Sequence, residues 1–410
     1  MRTIVTNATV LDTGTMTYTP DQTVVIEDGR FVDVDCAASS SDADVSIDAA
    51  GKYVVPGMID AHVHMRLATL DFRAIATWTE VEFGIIMAGL AADTVERGFT
   101  TVRDLGGELR GLQRAISRGI ATGPRIVKAG RMISQTGGHG DTGSHGHDVP
   151  ECACTIQSDW AGIIADGPDA VTKAARYLLK EGSDFLKIHV SGGVATPSDP
   201  LDSVQYTPAE VRAAVTEAEH RNTYVAAHAY IPEAIQMAVS EGVFTIEHGN
   251  LIDAPSAALM VEKGSVLVPT LVTYKAMHDF GQRLGLPPKN MEKNAIVYDA
   301  GLASLEIAVE AGVTMGLGTD LIGEAQRMQN EELIIRSEVQ PAADVLRSMW
   351  QVNARLCHLE GEIGVIAPGA HGDLLVSNVD PLEDLARFAD HERALTHVVQ
   401  GGRVMVERTA

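Results

Sequence analysis

The chain is poor in the features that mark secreted and membrane-spanning proteins. Four cysteines in 410 residues are too few for a disulfide framework. Cys152 and Cys154 lie two positions apart and lack the second CxxC pair of a zinc knuckle. No apolar run approaches the ~18 residues of a membrane helix. Because residues 1–8 contain no hydrophobic signal core, we expect no secretory signal.

Positive charge is also scarce, since 32 Lys and Arg face 55 Asp and Glu and give a net charge of -23. Nucleic acids and anionic membranes bind basic surfaces, so we expect neither as a partner. Hydrophobic residues make up 45% of the chain, which predicts a soluble globular protein with a large core. The expected location is the cytoplasm.

Both ends of the chain are rich in predicted strands. Asp28-Gly29 and Gly401-Gly402 separate apolar runs and indicate hairpin turns. We expect residues 1–55 and 358–410 to meet in one small β-sandwich domain. The strand candidates are 3–5, 23–26, 30–34, 373–376, 395–399 and 403–406.

The middle of the chain, residues 56–357, alternates predicted strands with helices such as 208–221 and 231–241. This alternation predicts an α/β fold, a (β/α)8 TIM barrel. A doubly wound open sheet is the alternative, but no GxGxxG motif follows the first strand. The eight strand candidates are 58–65, 100–105, 125–129, 185–190, 224–228, 245–248, 266–270 and 315–320.

The first of these strands carries His62 and His64, two positions apart and flanked by apolar residues. Strand side chains alternate between faces, so both imidazoles point to the same side. Two converging imidazoles form half of a metal site. The pair alone also fits two polar residues at the end of a strand.

Four further polar residues lie within or at the ends of predicted barrel strands, where a barrel carries its chemistry. A lysine within an apolar strand needs a charged partner or a modification. Each residue alone has a structural explanation, a helix cap in the case of Asp320. Their joint occurrence with the histidine pair predicts a metal site. The four are Lys187, His228, His248 and Asp320.

The roles of two other features of the sequence are less certain from the residues alone. The stretch Ser134 to Trp160 follows the third strand and contains five glycines, three histidines and two cysteines, which predicts a functional loop over the barrel mouth. Arg103 and Asp104 follow the second strand. They either pair with each other, the favoured interpretation, or Arg103 binds a substrate carboxylate.

The sequence resembles the amidohydrolase superfamily over nearly its whole length, beginning with the segment 54–64. The resemblance is to its prolidase-type, imidazolonepropionase-like branch, which holds metal-dependent dipeptidases and carboxypeptidases and includes ochratoxin-hydrolysing enzymes. The segments that carry it are Thr100-Thr101-Val102-Arg103-Asp104-Leu105-Gly106, Thr136-Gly137-Gly138-His139-Gly140, Lys187-Ile188-His189-Val190-Ser191-Gly192-Gly193 and Ala227-His228-Ala229-Tyr230.

The resemblance implies two divalent metal ions, expected to be Zn2+. One is held by His62, His64 and Asp320 and the other by His228 and His248, with Lys187 carboxylated by CO2 and bridging both. It also implies that Asp320 moves the proton of the attacking hydroxide to the leaving nitrogen. Tyr230 then hydrogen-bonds the carbonyl oxygen. We expect further substrate contacts from His139 on the long loop and from the backbone after Lys187, at Ser191, Gly192 and Val194. For His145 and His147, substrate contact and solvation are both open.

The expected reaction is hydrolysis of the amide bond of a dipeptide or N-acyl amino acid. It would be of the Xaa-Pro dipeptidase or carboxypeptidase type, with ochratoxin A as one candidate substrate. The alternatives are a cyclic amidase acting on a hydantoin- or imidazolone-like ring, a deaminase, and a non-catalytic barrel. Lys187 argues against a deaminase of this superfamily, which typically uses one metal. The resemblance also implies a homo-oligomer, an octamer being one form.

Overall fold

The computed structural model describes residues 1–34, 43–69, 77–141, 162–196, 199–283 and 285–408. Its strands are β1 (Arg2–Asp12), β2 (Thr17–Glu27), β3 (Arg30–Val34), β4 (Val45–Asp48), β5 (Tyr53–Pro56), β6 (Met58–Val63), β7 (Phe99–Asp104), β8 (Arg125–Lys128), β9 (Met132–Ser134), β10 (Gly162–Ile164), β11 (Leu186–His189), β12 (Val225–Ala229), β13 (Thr245–His248), β14 (Val266–Val268), β15 (Leu374–Ser377), β16 (Leu395–Gln400) and β17 (Arg403–Glu407).

Helices follow most strands after β6. They are α1 (Glu80–Glu96), α2 (Arg110–Ser117), α3 (Pro168–Lys180), α4 (Pro208–Glu219), α5 (Pro232–Ser240), α6 (Ala254–Lys263), α7 (Leu271–Phe280), α8 (Pro288–Ala311), α9 (Glu331–Ser337), α10 (Ala342–Arg347), α11 (Asn353–Leu356), α12 (Leu385–Ala389) and α13 (His391–Ala394). A 3-10 helix spans Gly323–Met328 and a π-helix spans Ser348–Val352. Across the parts of the chain that the structure describes, no helix combines the length and hydropathy that a bilayer crossing demands.

One sheet contains strands from both ends of the chain, in the order β17-β16-β15-β5-β1-β2-β3, with β4 paired to β1. The junction between the two ends is the antiparallel pair β15 and β5, in which Leu375 lies opposite Val55. The Thr3 hydroxyl adds a hydrogen bond to the carbonyl of Gly402, 399 positions away. Every strand candidate predicted for the two terminal segments overlaps an observed strand of this sheet.

The remaining strands form two parallel sheets, β6-β7-β8 and β10-β9-β11-β12-β13-β14. All residues of β6, β7, β11, β12 and β13 are buried, as expected for parallel strands covered on both faces. The Asp184 amide donates to the Lys128 carbonyl at 2.8 Å, which brings the start of β11 against the end of β8.

The segment 315–320 lies between β14 and β6. The Gly316 amide donates to the Leu267 carbonyl at 2.9 Å, and the Ala61 amide donates to the Leu317 carbonyl at 2.8 Å. Seven of the eight predicted strands in this region coincide with observed strands to within two residues. The eighth forms a single bridge, Leu267 to Met315, in place of a regular ladder.

Helix α4 shows how local sequence sets the helices around these strands. Pro208 occupies the first turn, and the Thr207 hydroxyl and the Glu210 carboxylate form a capping box. Val211, Ala214, Val215 and Ala218 turn inward and join the main apolar core, which fills the space between β9–β14 and helices α3–α8. This packing holds strands β11–β13 in place, and polar side chains from these strands line one cavity.

Candidate metal centre

The two histidines of β6 converge with Asp320, which ends the segment beside that strand. His62 Nε2 lies 3.3 Å from His64 Nε2. Asp320 Oδ1 lies 3.4 Å from His62 Nε2 and 3.2 Å from His64 Nε2. Ligand atoms that share a tetrahedral ion at about 2.0–2.1 Å are themselves roughly 3.3–3.4 Å apart. These three residues therefore have the spacing of a single divalent-metal site.

Strands β11, β12 and β13 bring the other predicted ligands to the same cavity. The potential ligand atoms of His62, His248 and Asp320 all lie within 4.8 Å of one another. The ring centroid of His228 is 4.7 Å from that of His248. Lys187 is 1% exposed and lines this cavity together with all five other residues. All six predicted ligands thus face one space.

The hydrogen bonds of the imidazoles fix which nitrogen is free. His62 Nδ1 lies 2.7 Å from Glu247 Oε2, and His248 Nδ1 lies 2.7 Å from Thr270 Oγ1. His228 Nε2 lies 3.0 Å from the carbonyl oxygen of Gly192. A histidine that binds metal commonly donates its other N–H to such an acceptor. The arrangement leaves His62 Nε2, His248 Nε2 and His228 Nδ1 as lone pairs, so the donor set fits divalent metal ions.

Electrostatics favour the ligand forms of His64, His228, His248 and Asp320. Burial lowers the pKa of His62, but the Asp320 and Glu247 carboxylates outweigh it and raise that pKa above its usual value. Burial lowers the pKa of His64 and holds the pKa of His228 and of His248 well below the usual value, which favours neutral imidazoles. Burial also raises the pKa of Asp320, but His62 and His64 outweigh it and keep that pKa well below its usual range. Burial lowers the pKa of Lys187 to about 8.

The backbone at the strand ends is unusual. His248, Thr270 and Asp320 have φ angles of 77°, 38° and 52°, in the left-handed region that non-glycine residues seldom adopt. Such conformations concentrate at functional sites, where the surrounding structure enforces them. His248 is the last residue of β13, Thr270 follows the end of β14 by two residues, and Asp320 ends the extended segment 315–320.

A buried ion-pair network holds the imidazole ring of His62 in place. Glu247 receives hydrogen bonds from Arg103 Nη2 at 2.7 Å and from the Thr245 hydroxyl at 2.6 Å, and it also contacts His62 Nδ1. Arg103 is fully buried and pairs with Glu247, so the favoured interpretation, a pair between Arg103 and Asp104, is wrong although the role of Arg103 is structural. Its expected partner, Asp104, instead accepts the amides of Met65 and Gly106. Neighbouring strand residues point to opposite faces, which separates the side chains of residues 103 and 104.

Two carboxylates, Glu247 and Asp60, support the site although neither was predicted from the sequence. Glu247 precedes a predicted ligand in an apolar strand, and that position could have identified it. Asp60, two residues before His62, is buried and accepts the amides of His62 and Thr319, the Thr319 hydroxyl and the Gln329 side chain. It ties β6 to the segment that carries Asp320.

The predicted substrate contacts divide into two groups. His139, Val194 and Tyr230 line the cavity, and His139 stacks on His228 with ring centroids 4.4 Å apart. Ser191 and Gly192 instead support their neighbours, because Ser191 Oγ accepts the Tyr230 amide and the Gly192 carbonyl contacts His228. His145, His147, Cys152 and Cys154 lie outside the described residues. Further cavity-lining residues, not predicted as contacts, include His189, Thr196, Thr273 and Met277.

Comparison with known proteins identifies the family of this chain. Residues 53–405 match the model of the Amidohydrolase family. Ochratoxinase of Aspergillus niger is 27% identical over 368 residues, covering 86% of this chain and 75% of that protein. A crystal structure of a prolidase complexed with N-methylphosphonate-L-proline is 41% identical, with a TM-score of 0.94 and 100% coverage of both chains.

A crystal structure of a Xaa-Pro dipeptidase with bound methionine is 28% identical, with a TM-score of 0.88, and the alignment covers 98% of this chain and 99% of that one. These similarities confirm the resemblance to the prolidase-type branch. The chain belongs to the amidohydrolase family.

Proposed function

We propose that this protein is a binuclear-metal amidohydrolase that releases the C-terminal amino acid of a dipeptide or N-acyl amino acid. The observation that carries the proposal is the convergence of four imidazoles, Asp320 and a buried lysine on one cavity. Similarity to a prolidase and a Xaa-Pro dipeptidase makes Xaa-Pro dipeptides the first candidate substrates. Similarity to ochratoxinase adds ochratoxin A, whose scissile bond also joins an acyl group to an amino acid.

The proposal includes the architecture of the catalytic unit. Residues 56–357 would form a (β/α)8 barrel, flanked by a β-sandwich built from residues 1–55 and 358–410. Hydrogen bonds from the segment 315–320 to both β14 and β6 support closure of the parallel strands into a ring. The ligands then lie at the carboxyl ends of the strands, where barrels place their active sites.

Each ion has a proposed ligand set. His62, His64 and Asp320 would hold one, and His228 and His248 would hold the other, with zinc suited to such nitrogen and oxygen donors. Lys187 would be a shared ligand as a carbamate, which forms when its neutral amine bonds to the carbon of CO2 and releases a proton. Its burial supports this assignment, as does the absence of any hydrogen bond or ion pair from its amine to another described residue.

Two ions bound here supply a water-derived nucleophile at neutral pH and polarise the substrate carbonyl. Asp320 accepts the proton of the attacking water and donates it to the leaving nitrogen, so one carboxylate acts first as base and then as acid. Tyr230 donates a hydrogen bond to the carbonyl oxygen as negative charge develops on it. His139 and Val194 contact the substrate from the cavity wall.

The test is a substrate panel with zinc-loaded protein supplied with bicarbonate. It contains Xaa-Pro dipeptides, other dipeptides, N-acyl amino acids, ochratoxin A and a hydantoin, with products identified by mass spectrometry. We expect release of a free C-terminal amino acid from at least one linear substrate. Ring opening of the hydantoin alone would identify a cyclic amidase, and no turnover of any compound by protein containing two metals would contradict the proposal.

We also propose that the chain forms a homo-oligomer, with an octamer as the specific expectation. Sedimentation velocity of the full chain tests this, and a single species at the mass of 43.6 kDa would contradict it.

A further inference from the structure

Tyr274 lies directly behind the tyrosine that we assign to the substrate carbonyl. Its side chain is 1% exposed, and its hydroxyl oxygen is 2.9 Å from that of Tyr230. Its ring meets the ring of His248 edge-on, with centroids 6.2 Å apart. Tyr230 lines the cavity and Tyr274 lies behind it, so the two hydroxyls connect the cavity wall to helix α7.

A tyrosine hydroxyl has a single proton, and this limits what Tyr230 can do. If Tyr230 donates that proton to Tyr274, none remains for a substrate oxygen. If Tyr274 is the donor, the Tyr230 proton is free to point into the cavity. The 2.9 Å separation fits either direction, so the surroundings of the two hydroxyls decide which occurs.

Burial sets the direction. Among the described residues, the hydroxyl of Tyr274 has one hydrogen-bond partner, the hydroxyl of Tyr230. If Tyr230 were the donor, the proton of the buried Tyr274 hydroxyl would have no acceptor, which is unfavourable. Tyr230 lines the cavity, where a substrate oxygen can accept its proton. Tyr274 therefore donates to Tyr230.

The position of Tyr274 is itself fixed. Helix α7 begins at Leu271, directly after Thr270, whose backbone has a φ of 38°. The Val272 amide in the first turn of α7 donates to the buried carboxyl group of Glu332 at 2.7 Å. The start of α7 is therefore anchored, and it holds Tyr274 against Tyr230.

We propose that Tyr274 is a positioning residue that donates its hydroxyl proton to Tyr230 and so directs the Tyr230 proton at the substrate carbonyl oxygen. The proposal rests on the proposed function, because it assumes the role of Tyr230 there. Hydrogen bonds in such a chain polarise one another, which strengthens the last donor. In this role Tyr274 neither binds a metal ion nor transfers a proton to the substrate.

Tyr274→Phe tests this because it keeps the ring in the core and removes only the hydroxyl. We expect kcat to fall roughly 5- to 10-fold, the effect of about 1–1.4 kcal/mol of hydrogen bonding, with KM changed less than twofold. Zinc content is expected to stay the same. The matched control is Tyr18→Phe, which removes a hydroxyl bonded to Asp380 in the terminal sheet and should leave kcat unchanged.

A double-mutant cycle with Tyr230→Phe separates positioning from an independent role. If Tyr274 acts through Tyr230, adding Tyr274→Phe to the Tyr230→Phe variant causes no further loss of kcat. Losses that multiply would overturn the proposal, as would an unchanged kcat for Tyr274→Phe alone.

Calorimetry supplies a readout that does not depend on turnover. The probe is a phosphonate analogue of an Xaa-Pro dipeptide, compared with free proline. We expect Tyr274→Phe to weaken analogue binding roughly 5- to 10-fold, with proline binding and the melting temperature nearly unchanged. Equal weakening of both ligands would contradict positioning. If the wild-type protein binds the analogue but hydrolyses no linear amide, the proposed function fails while this binding comparison still decides the role of Tyr274.

Discussion

At the scale of single residues, the site is defined by polar groups placed where burial is costly. Lys187 is 1% exposed, and the charged groups that act on its amine are Glu247, Asp320 and Arg103. A buried ammonium without a hydrogen-bonded partner is unfavourable by several kcal/mol. The proposed conversion to a metal-bound carbamate would remove this penalty, which would give the residue a chemical reason to be a lysine.

Lys187→Ala should therefore lower the metal content. We expect fewer than two equivalents of zinc per chain, because the bridging ligand is lost while both sets of imidazoles remain. Inductively coupled plasma mass spectrometry of dialysed protein measures this. Two equivalents retained by the variant would show that Lys187 does not bridge.

Asp320→Asn should separate binding from turnover. The amide keeps the size of the side chain but cannot shuttle a proton, so we expect kcat to fall by roughly 10²- to 10⁴-fold. Binding of a slow substrate, measured by calorimetry on zinc-loaded variant, should persist. A kcat near that of the wild type would exclude Asp320 as the proton carrier.

At the scale of secondary-structure elements, buried carboxyl groups join strands and helices around the cavity. Glu247 on β13 connects Arg103 on β7 with His62 on β6, and all three side chains are fully buried. Glu332 on α9 holds the first turn of α7 through the Val272 amide. The geometry of the site therefore depends on contacts between elements far apart in the sequence.

Glu247→Gln should cost both stability and metal affinity. The buried Arg103 guanidinium loses its counter-ion, which lowers the free energy of unfolding by about 3–5 kcal/mol. The weaker acceptor for His62 should lower zinc affinity roughly 10- to 100-fold. Urea unfolding and zinc titration measure these effects. Asp344→Asn, which removes an exposed partner of Arg347, is the control and should change stability by less than about 0.5 kcal/mol.

Glu332 predicts a pH dependence of stability. Burial raises its pKa from 4.5 to about 8 in the folded protein, so the folded state keeps a proton that the unfolded state loses. The stability from this group is present below pH 4.5 and is lost as the pH rises through 8. The melting temperature of the wild type relative to Glu332→Gln should therefore fall between pH 5 and pH 9. Parallel melting curves across that range would contradict this.

At the scale of the whole molecule, the site and the terminal sheet belong to one folded structure. Arg125 of β8 forms an ion pair at 2.6 Å with Asp373, which immediately precedes β15. The proposed metal ligands come from strands and one extended segment distributed over more than 250 residues of chain, from His62 to Asp320. Ions bound at such a site stabilise the folded state as a whole, because the unfolded chain cannot assemble their ligands.

Metal removal should therefore lower the melting temperature. Saturating zinc at 100 times its dissociation constant contributes about 2.7 kcal/mol for one site. We expect dialysis against a chelator to lower the melting temperature in calorimetry, and zinc with bicarbonate to restore it. The Lys187→Ala variant should show a smaller shift than the wild type, and an equal shift in both would argue against the bridging role.

The sequence by itself determined the elements and the ligand types. Strand alternation placed His62 and His64 on one face, and the positions of Lys187, His228, His248 and Asp320 in or beyond apolar runs identified them as one set. These are local properties, fixed by period and burial. The family followed from the same residues and is confirmed by the match over 53–405.

Only the tertiary structure decided which groups support these residues. Three contacts join positions 44 to 269 residues apart. They are the ion pair of Arg103 with Glu247, the hydrogen bond of Gln329 with Asp60, and the contact between the hydroxyls of Tyr230 and Tyr274. No period or spacing in one chain specifies such contacts, because they depend on how strands and helices pack. The physical reason is that hydrogen bonds and ion pairs act over a few ångströms in space, whatever the distance along the sequence.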